Sequence, residues 1–265
     1  MILTRFDNRL LCVRQPEHGV QTGLFASAWG NDDVLPLPQP ELATTLAATH
    51  HDDGWAIWES RPSLDPSTAQ PYQFHSIPPV QHVKAYRAGI ARAAEHDPWT
   101  GLLVSMHGAG LYNDRYGSYR LEEVGEQSLT AEERCLVDEF LRDMAVLQTD
   151  LAQQALRHPT PEPWNQPTIR EVYLLLQVWD RLSLQFAFRH AADGVIAPLP
   201  GGTALACRNA GAFRLRLDPY PFADDAVDFP VQAQLVDDRA YTDPEDFLAA
   251  LTAAPRFALE CKVIR

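Results

Sequence analysis

The chain has 265 residues, 46% of them hydrophobic and 22% charged, with a formal net charge of −13. This is ordinary for a globular protein and excludes a disordered, collagenous or coiled-coil chain. An acidic balance with no basic cluster argues against nucleic acid as a partner, and apolar runs such as Gly101–Met106 and Val172–Leu176 are far too short to span a bilayer. The start of the chain carries Arg5, Asp7, Arg9 and Arg14 and no apolar signal-like stretch, and the four cysteines are scattered without a CxxC pair. Both features fit a cytoplasmic protein that keeps its thiols reduced.

In chain order, Ile2–Phe6 and Leu10–Arg14 flank Asp7-Asn8-Arg9 and read as a β-hairpin. Helical spacing follows over Glu17–Gly30, Glu41–Asp53, Val80–His96, Thr130–Arg157 and Thr168–Arg189. Two proline-rich stretches, Arg61–Pro79 and His158–Pro167, interrupt it as ordered loops, because proline blocks helix continuation. Beyond Gly201, F-R-L-R-L over Phe213–Leu217 and V-Q-A-Q-L over Val231–Leu235 alternate at period two. Phe257–Ile264 is a further strand, and Pro244–Ala253 a short helix between. Neither β zone has enough strands to stand alone. The economical reading is one α+β domain over residues 1–265, mainly helical, with a helical core at about 17–190. The β elements at 2–14 and about 213–264 then join in a small antiparallel sheet. The rival is a separate β unit from about Gly201, bounded by the loop Pro198–Gly202.

The chemistry concentrates in Thr49-His50-His51-Asp52-Asp53-Gly54-Trp55. Gly54 reads as the left-handed residue that stops a helix. Capping explains one histidine at a helix end, but not two aspartates where the helix dipole disfavours them. Imidazole and carboxylate are the usual ligands of Zn, Fe or Mn, and either His50 or His51 offers a register. Further ligands must come from distant segments. His18 shares a helical stripe with Thr22, Phe25 and Trp29, so it is either a core histidine or a ligand. Asp180 lies on an apolar stripe between Leu176 and Leu184, where a carboxylate is costly unless it meets a metal or an arginine such as Arg170 or Arg120. His82, on a stripe with Tyr86 and Ile90, is a weaker candidate of the same kind. His107 sits where an apolar run meets Gly108-Ala109-Gly110, a place where polar residues line sites.

The order His18, His51-Asp52, Asp180 resembles the H…HD…D pattern of the HD-domain metal-dependent phosphohydrolases. More closely, HDDGW together with SMHGAGLY, Ser105–Tyr112, resembles an uncharacterised bacterial family known only as a domain of unknown function. That closer likeness runs from Met1 to about Leu217 and brings no activity with it. The superfamily likeness implies an HD-like helical core in which His18, His51, Asp52 and Asp180 hold one or two divalent metals (Fe, Mn or Zn). It implies hydrolysis of a phosphate ester on a small molecule. In that scheme His82 or His107 binds a second metal or transfers protons, and Asp53 orients a ligand. Arg115 or Lys84 is a phosphate contact by charge alone. Two other readings keep the same residues: an oxygenase using one or two irons, and a non-catalytic binding or regulatory protein with a hydrogen-bonded polar network. No G-x-S-x-G elbow and no phosphate-binding P-loop is present.

Overall fold

The computed structural model describes residues 1–31, 41–113, 129–157, 166–187 and 189–265. It opens on the hairpin β1 (Ile2–Phe6) and β2 (Arg9–Val13). Phe6 pairs with Arg9, so Asp7 and Asn8 alone turn the chain, and Asp7 takes a left-handed φ of 56°. The helices α1 (Gln15–Ser27), α2 (Glu41–His50) and α3 (Trp55–Glu59) follow. A two-stranded ribbon, β3 (Leu64–Asp65) and β4 (Gln70–Pro71), lies in the first proline-rich stretch. Then come α4 (Pro79–His96), α5 (Pro98–Gly110), α6 (Ala131–Arg157) and α7 (Gln166–Gln185). The rest is β5 (Gly194–Pro198), β6 (Ala204–Asn209), β7 (Arg214–Asp218), β8 (Ala226–Asp228) and β9 (Val231–Asp237), α8 (Pro244–Ala253), and β10 (Arg256–Leu259) and β11 (Lys262–Ile264). The class is α+β and mainly helical. Against the expected bounds, α1 stops at Ser27, α2 at His50 and α7 at Gln185, and the second proline-rich stretch lies largely outside the described residues.

The two β zones do join. The N-terminal hairpin is extended by β9 and β10 into an antiparallel sheet ordered β1-β2-β9-β10. Strand β2 is buried on both faces, which is why R-L-L-C-V shows no alternation. Leu11 and Val13 enter the main core, whereas Leu10 and Cys12 meet Phe247 and Leu251 of α8. A second sheet, ordered β5-β6-β7-β11-β8, was not expected. Its β7–β11 pair is parallel and its other pairs antiparallel. The single strand read over Phe257–Ile264 is two strands, one in each sheet, with the chain crossing at buried Cys261. Pro198–Gly202 is the turn between β5 and β6 rather than a domain linker.

Helix α5 was also missed as a helix. Asp97 caps it, accepting from the amides of Trp99 and Thr100 at 2.9 Å, and proline stands in its first turn. Its residues are buried almost all round, so there is no polar face to mark the 3.6-residue period. It packs against α2, α4, α6 and α7, while α1 packs on α2 and α7. Two close crossings set this arrangement. A Cβ on Gly19 would lie 2.4 Å from the Thr49 carbonyl oxygen, and one on Gly23 would lie 2.0 Å from Thr49 Oγ1. Gly54 does not stop α2 in a left-handed turn: its φ is −58° and it leads into α3. Glycine is needed there because a Cβ would stand 1.9 Å from the carbonyl oxygen of Ala85 on α4.

Candidate metal centre

The crossings bring together residues far apart in the chain. His18 comes from the first turn of α1, His51 and Asp52 from the turn that ends α2, His107 from the last turn of α5 and Asp180 from α7. All five are buried, none more than 3% exposed. Ionisable groups are taken out of water at this density only where they satisfy one another or bind an ion.

His18 Nε2 lies 2.7 Å from Asp180 Oδ1. The His51 ring is held from behind, its Nδ1 donating to the Ala48 carbonyl oxygen at 2.8 Å. Its Nε2 then faces two carboxylates, 3.5 Å from Asp52 Oδ2 and 3.6 Å from Asp180 Oδ1. Both separations are too long for an N–H···O bond, and the buried Nε2 has no hydrogen-bond partner. On the other side His107 Nε2 is 3.6 Å from Asp52 Oδ1. Tyr86 donates its hydroxyl to that same oxygen at 2.7 Å. Two overlapping groups have the geometry to hold an ion: His18, His51 and Asp180, and His51, Asp52 and His107, each with ligand atoms within 4.8 Å of one another.

The electrostatics are those of a compensated cluster. Burial pushes the Asp52 and Asp180 carboxyls up, but the surrounding histidines outweigh it and hold both well below the usual range. Burial pulls the His51 imidazole down, and Asp52 and Asp180 overcome it, raising the ring to about 9. Burial, with Asp52 adding to it, keeps the Tyr86 phenol protonated.

The remaining expectations divide. Of the two adjacent histidines, His51 enters the cluster. His50 points outward and its Nδ1 bonds Asp53 Oδ2 at 2.7 Å, so the Asp53 carboxylate meets His50 and not His51. His82 is one layer out. Its ring packs 4.8 Å from that of Tyr86 and its Nδ1 is 2.5 Å from the Tyr112 hydroxyl, while burial draws its imidazole down to about 4. His107 belongs to a helix and not to the start of a glycine loop. Asp180 is met by His18 and His51, and Arg170 is exposed. Lys84 is exposed, and Arg115 and Arg120 lie outside the described residues. Three polar residues at the centre were not anticipated: Tyr86, Gln21 and Ser183. Gln21 stands three positions after His18 on α1 and Ser183 three after Asp180 on α7, a spacing that places each pair on one face of its helix. That spacing was the available signal.

Residues 1–238 match the family described as a protein of unknown function, DUF3891, and the chain belongs to that family. No curated protein and no solved structure matches it.

Proposed function

We propose that this protein binds a divalent transition metal through His18, His51, Asp52 and Asp180, with His107 as a further donor, and uses it to hydrolyse a phosphate ester of a small molecule. The observation that carries the reading is the Nε2 atom of His51. It is buried and without a hydrogen-bond partner, and it stands 3.5 and 3.6 Å from oxygens of Asp52 and Asp180. Those spacings suit ligands of one ion, since the edge of a tetrahedron with bonds of roughly 2.1 Å is about 3.4 Å. In the metal-free protein this atom faces two carboxylates beyond hydrogen-bond distance. A dication held between them satisfies His51 and neutralises two aspartates together. The order His18, His51-Asp52, Asp180, which resembles the HD-domain phosphohydrolases, supports the same donor set.

When bound, such an ion supplies a water of lowered pKa and polarises a phosphoryl oxygen. The protein's own groups prepare the site. Ala48 holds the His51 ring so that Nε2 faces the carboxylates. Tyr86 engages Asp52 Oδ1 and leaves Oδ2 turned toward His51. His107, 3.3 Å from the Tyr86 hydroxyl, is placed to exchange a proton with it or to serve as a further donor.

The test is elemental mass spectrometry on untagged protein, beside His51→Ala and Asp180→Ala, followed by a panel of phosphomonoesters. The expected result is one or two equivalents of Fe, Mn or Zn, lost in both variants, with turnover only by the loaded wild type. No metal after reconstitution would overturn the proposal. Bound iron with oxygen uptake and no phosphatase activity would replace hydrolysis by oxygenase chemistry.

A further inference from the structure

Behind His18 a chain of buried polar groups leads away from the centre to the β-rich part of the molecule. Gln21, on the same helix, donates its Nε2 to the carbonyl oxygen of Phe229 at 2.6 Å. The reverse amide orientation would set two acceptor oxygens against each other, so the assignment is fixed. Gln21 Oε1 therefore faces Ser183, whose Oγ is 2.5 Å away. An amide oxygen only accepts, so the single hydroxyl hydrogen of Ser183 is committed to Gln21. Ser183 Oγ presents only lone pairs to His18 Nδ1 at 2.7 Å, and Nδ1 must carry the proton. Gln21, Ser183 and His18 are 1%, 4% and 1% exposed, so water does not compete for these bonds.

We infer that Gln21 and Ser183 are positioning residues that hold a proton on His18 Nδ1, so that Nε2, hydrogen-bonded to Asp180 at 2.7 Å in the metal-free protein, is the nitrogen left to the metal. This rests on the metal reading above and extends it: the Phe229 carbonyl, at the base of the β-rich region, sets the tautomer of a ligand on α1. The bland alternative is a structural network that only holds α1 to α7. The two differ in what a mutation moves. A structural network affects the stability of the metal-free fold, whereas a tautomer lock affects metal affinity in protein that is already folded.

The experiment titrates metal-free protein with Co²⁺, read by its visible absorption, for the wild type, Ser183→Ala and Ser183→Thr, with near-ultraviolet circular dichroism confirming the fold of each. Removing a hydrogen bond behind a metal-ligating histidine weakens affinity by about 10–100-fold, and that loss is expected for Ser183→Ala. Ser183→Thr keeps the hydroxyl and is expected to restore binding. In zinc-loaded wild type, long-range proton–nitrogen spectra should place the His18 ring proton on Nδ1. If Ser183→Ala does not fold, Gln21→Met removes the acceptor of the Ser183 hydroxyl and should weaken Co²⁺ binding in the same direction. Wild-type affinity in the folded variants, or a His18 proton on Nε2, would overturn the relay while leaving the metal reading intact. A wild type that takes up no Co²⁺ would overturn the metal reading, and the relay with it.

Discussion

Cys12, Cys207 and Cys261 are buried, and burial pushes each thiol up to about 12; Cys135 is exposed on α6. The thiolate is the species that attacks a disulfide reagent. At pH 8 the native protein should therefore react quickly at Cys135 alone, with the other three released only in denaturant. A second fast thiol in the native state would contradict this packing. The same contrast between composition and environment governs what was legible at the centre. His51, Asp52 and Asp180 stood out because charged residues at a helix end or on an apolar stripe have an electrostatic cost that needs a reason. His18 stood out less, since an imidazole on a core face is cheap. Tyr86, Gln21 and Ser183 carry no such cost in isolation. Phenols, amides and hydroxyls occur on many helices, and their roles here depend on which atom lies 2.5–2.7 Å away across 34 or 162 residues of chain.

At the scale of elements, period and polarity decided what could be read. The amphipathic helices α4, α6 and α7 show one polar and one apolar face, and sequence spacing finds them. Helix α5 is enclosed on nearly every side and has no such signature. Strands β10 and β11 merge into one apparent strand because nothing in F-A-L-E-C-K-V-I says that two sheets share it. Nothing in the sequence marks the crossing of α1 on α2, yet it brings His18 to His51, whose ring centroids lie 5.2 Å apart. It can be tested with alanines. At Gly19 the added Cβ meets the backbone oxygen of Thr49 at 2.4 Å, which only movement of a helix can relieve. At Gly23 it meets the Thr49 side-chain oxygen at 2.0 Å, which can be removed. Gly19→Ala should destabilise by about 1–3 kcal/mol, as overpacking does, and should weaken metal binding. Gly23→Ala should be rescued by Thr49→Ala, and Gly19→Ala should not. Urea unfolding of the three single and two double variants checks this, and equal rescue of both glycine variants would refute the crossing.

The whole molecule couples these parts. The family match ends at residue 238, but the sheets do not. Strand β11 lies between β7 and β8, and β10 closes the edge of β9. Removing residues 239–265 would strip β8 of its partner, uncover the face of β2 that α8 protects, and take away Cys261, whose carbonyl accepts from Phe229 at 2.7 Å. The shortened chain is expected to be insoluble or molten by near-ultraviolet circular dichroism; a cooperative native-like unfolding transition would show that the matched region folds without these strands. The centre makes the complementary prediction. The proposed ligands come from α1, the turn after α2, α5 and α7, so an ion held by them would bridge most of the helical layer, and unfolding would release it. A ligand at one hundred times its dissociation constant adds about 2.7 kcal/mol to the folded state. For a chain near this size, each kcal/mol moves the midpoint by about 2–4 °C, so saturating metal should raise it by roughly 5–10 °C. The gain should vanish with a chelator and be absent in His51→Ala, which removes the nitrogen facing both carboxylates. A wild-type midpoint indifferent to Zn, Mn and Fe would mean that the buried histidines and aspartates balance one another without an ion.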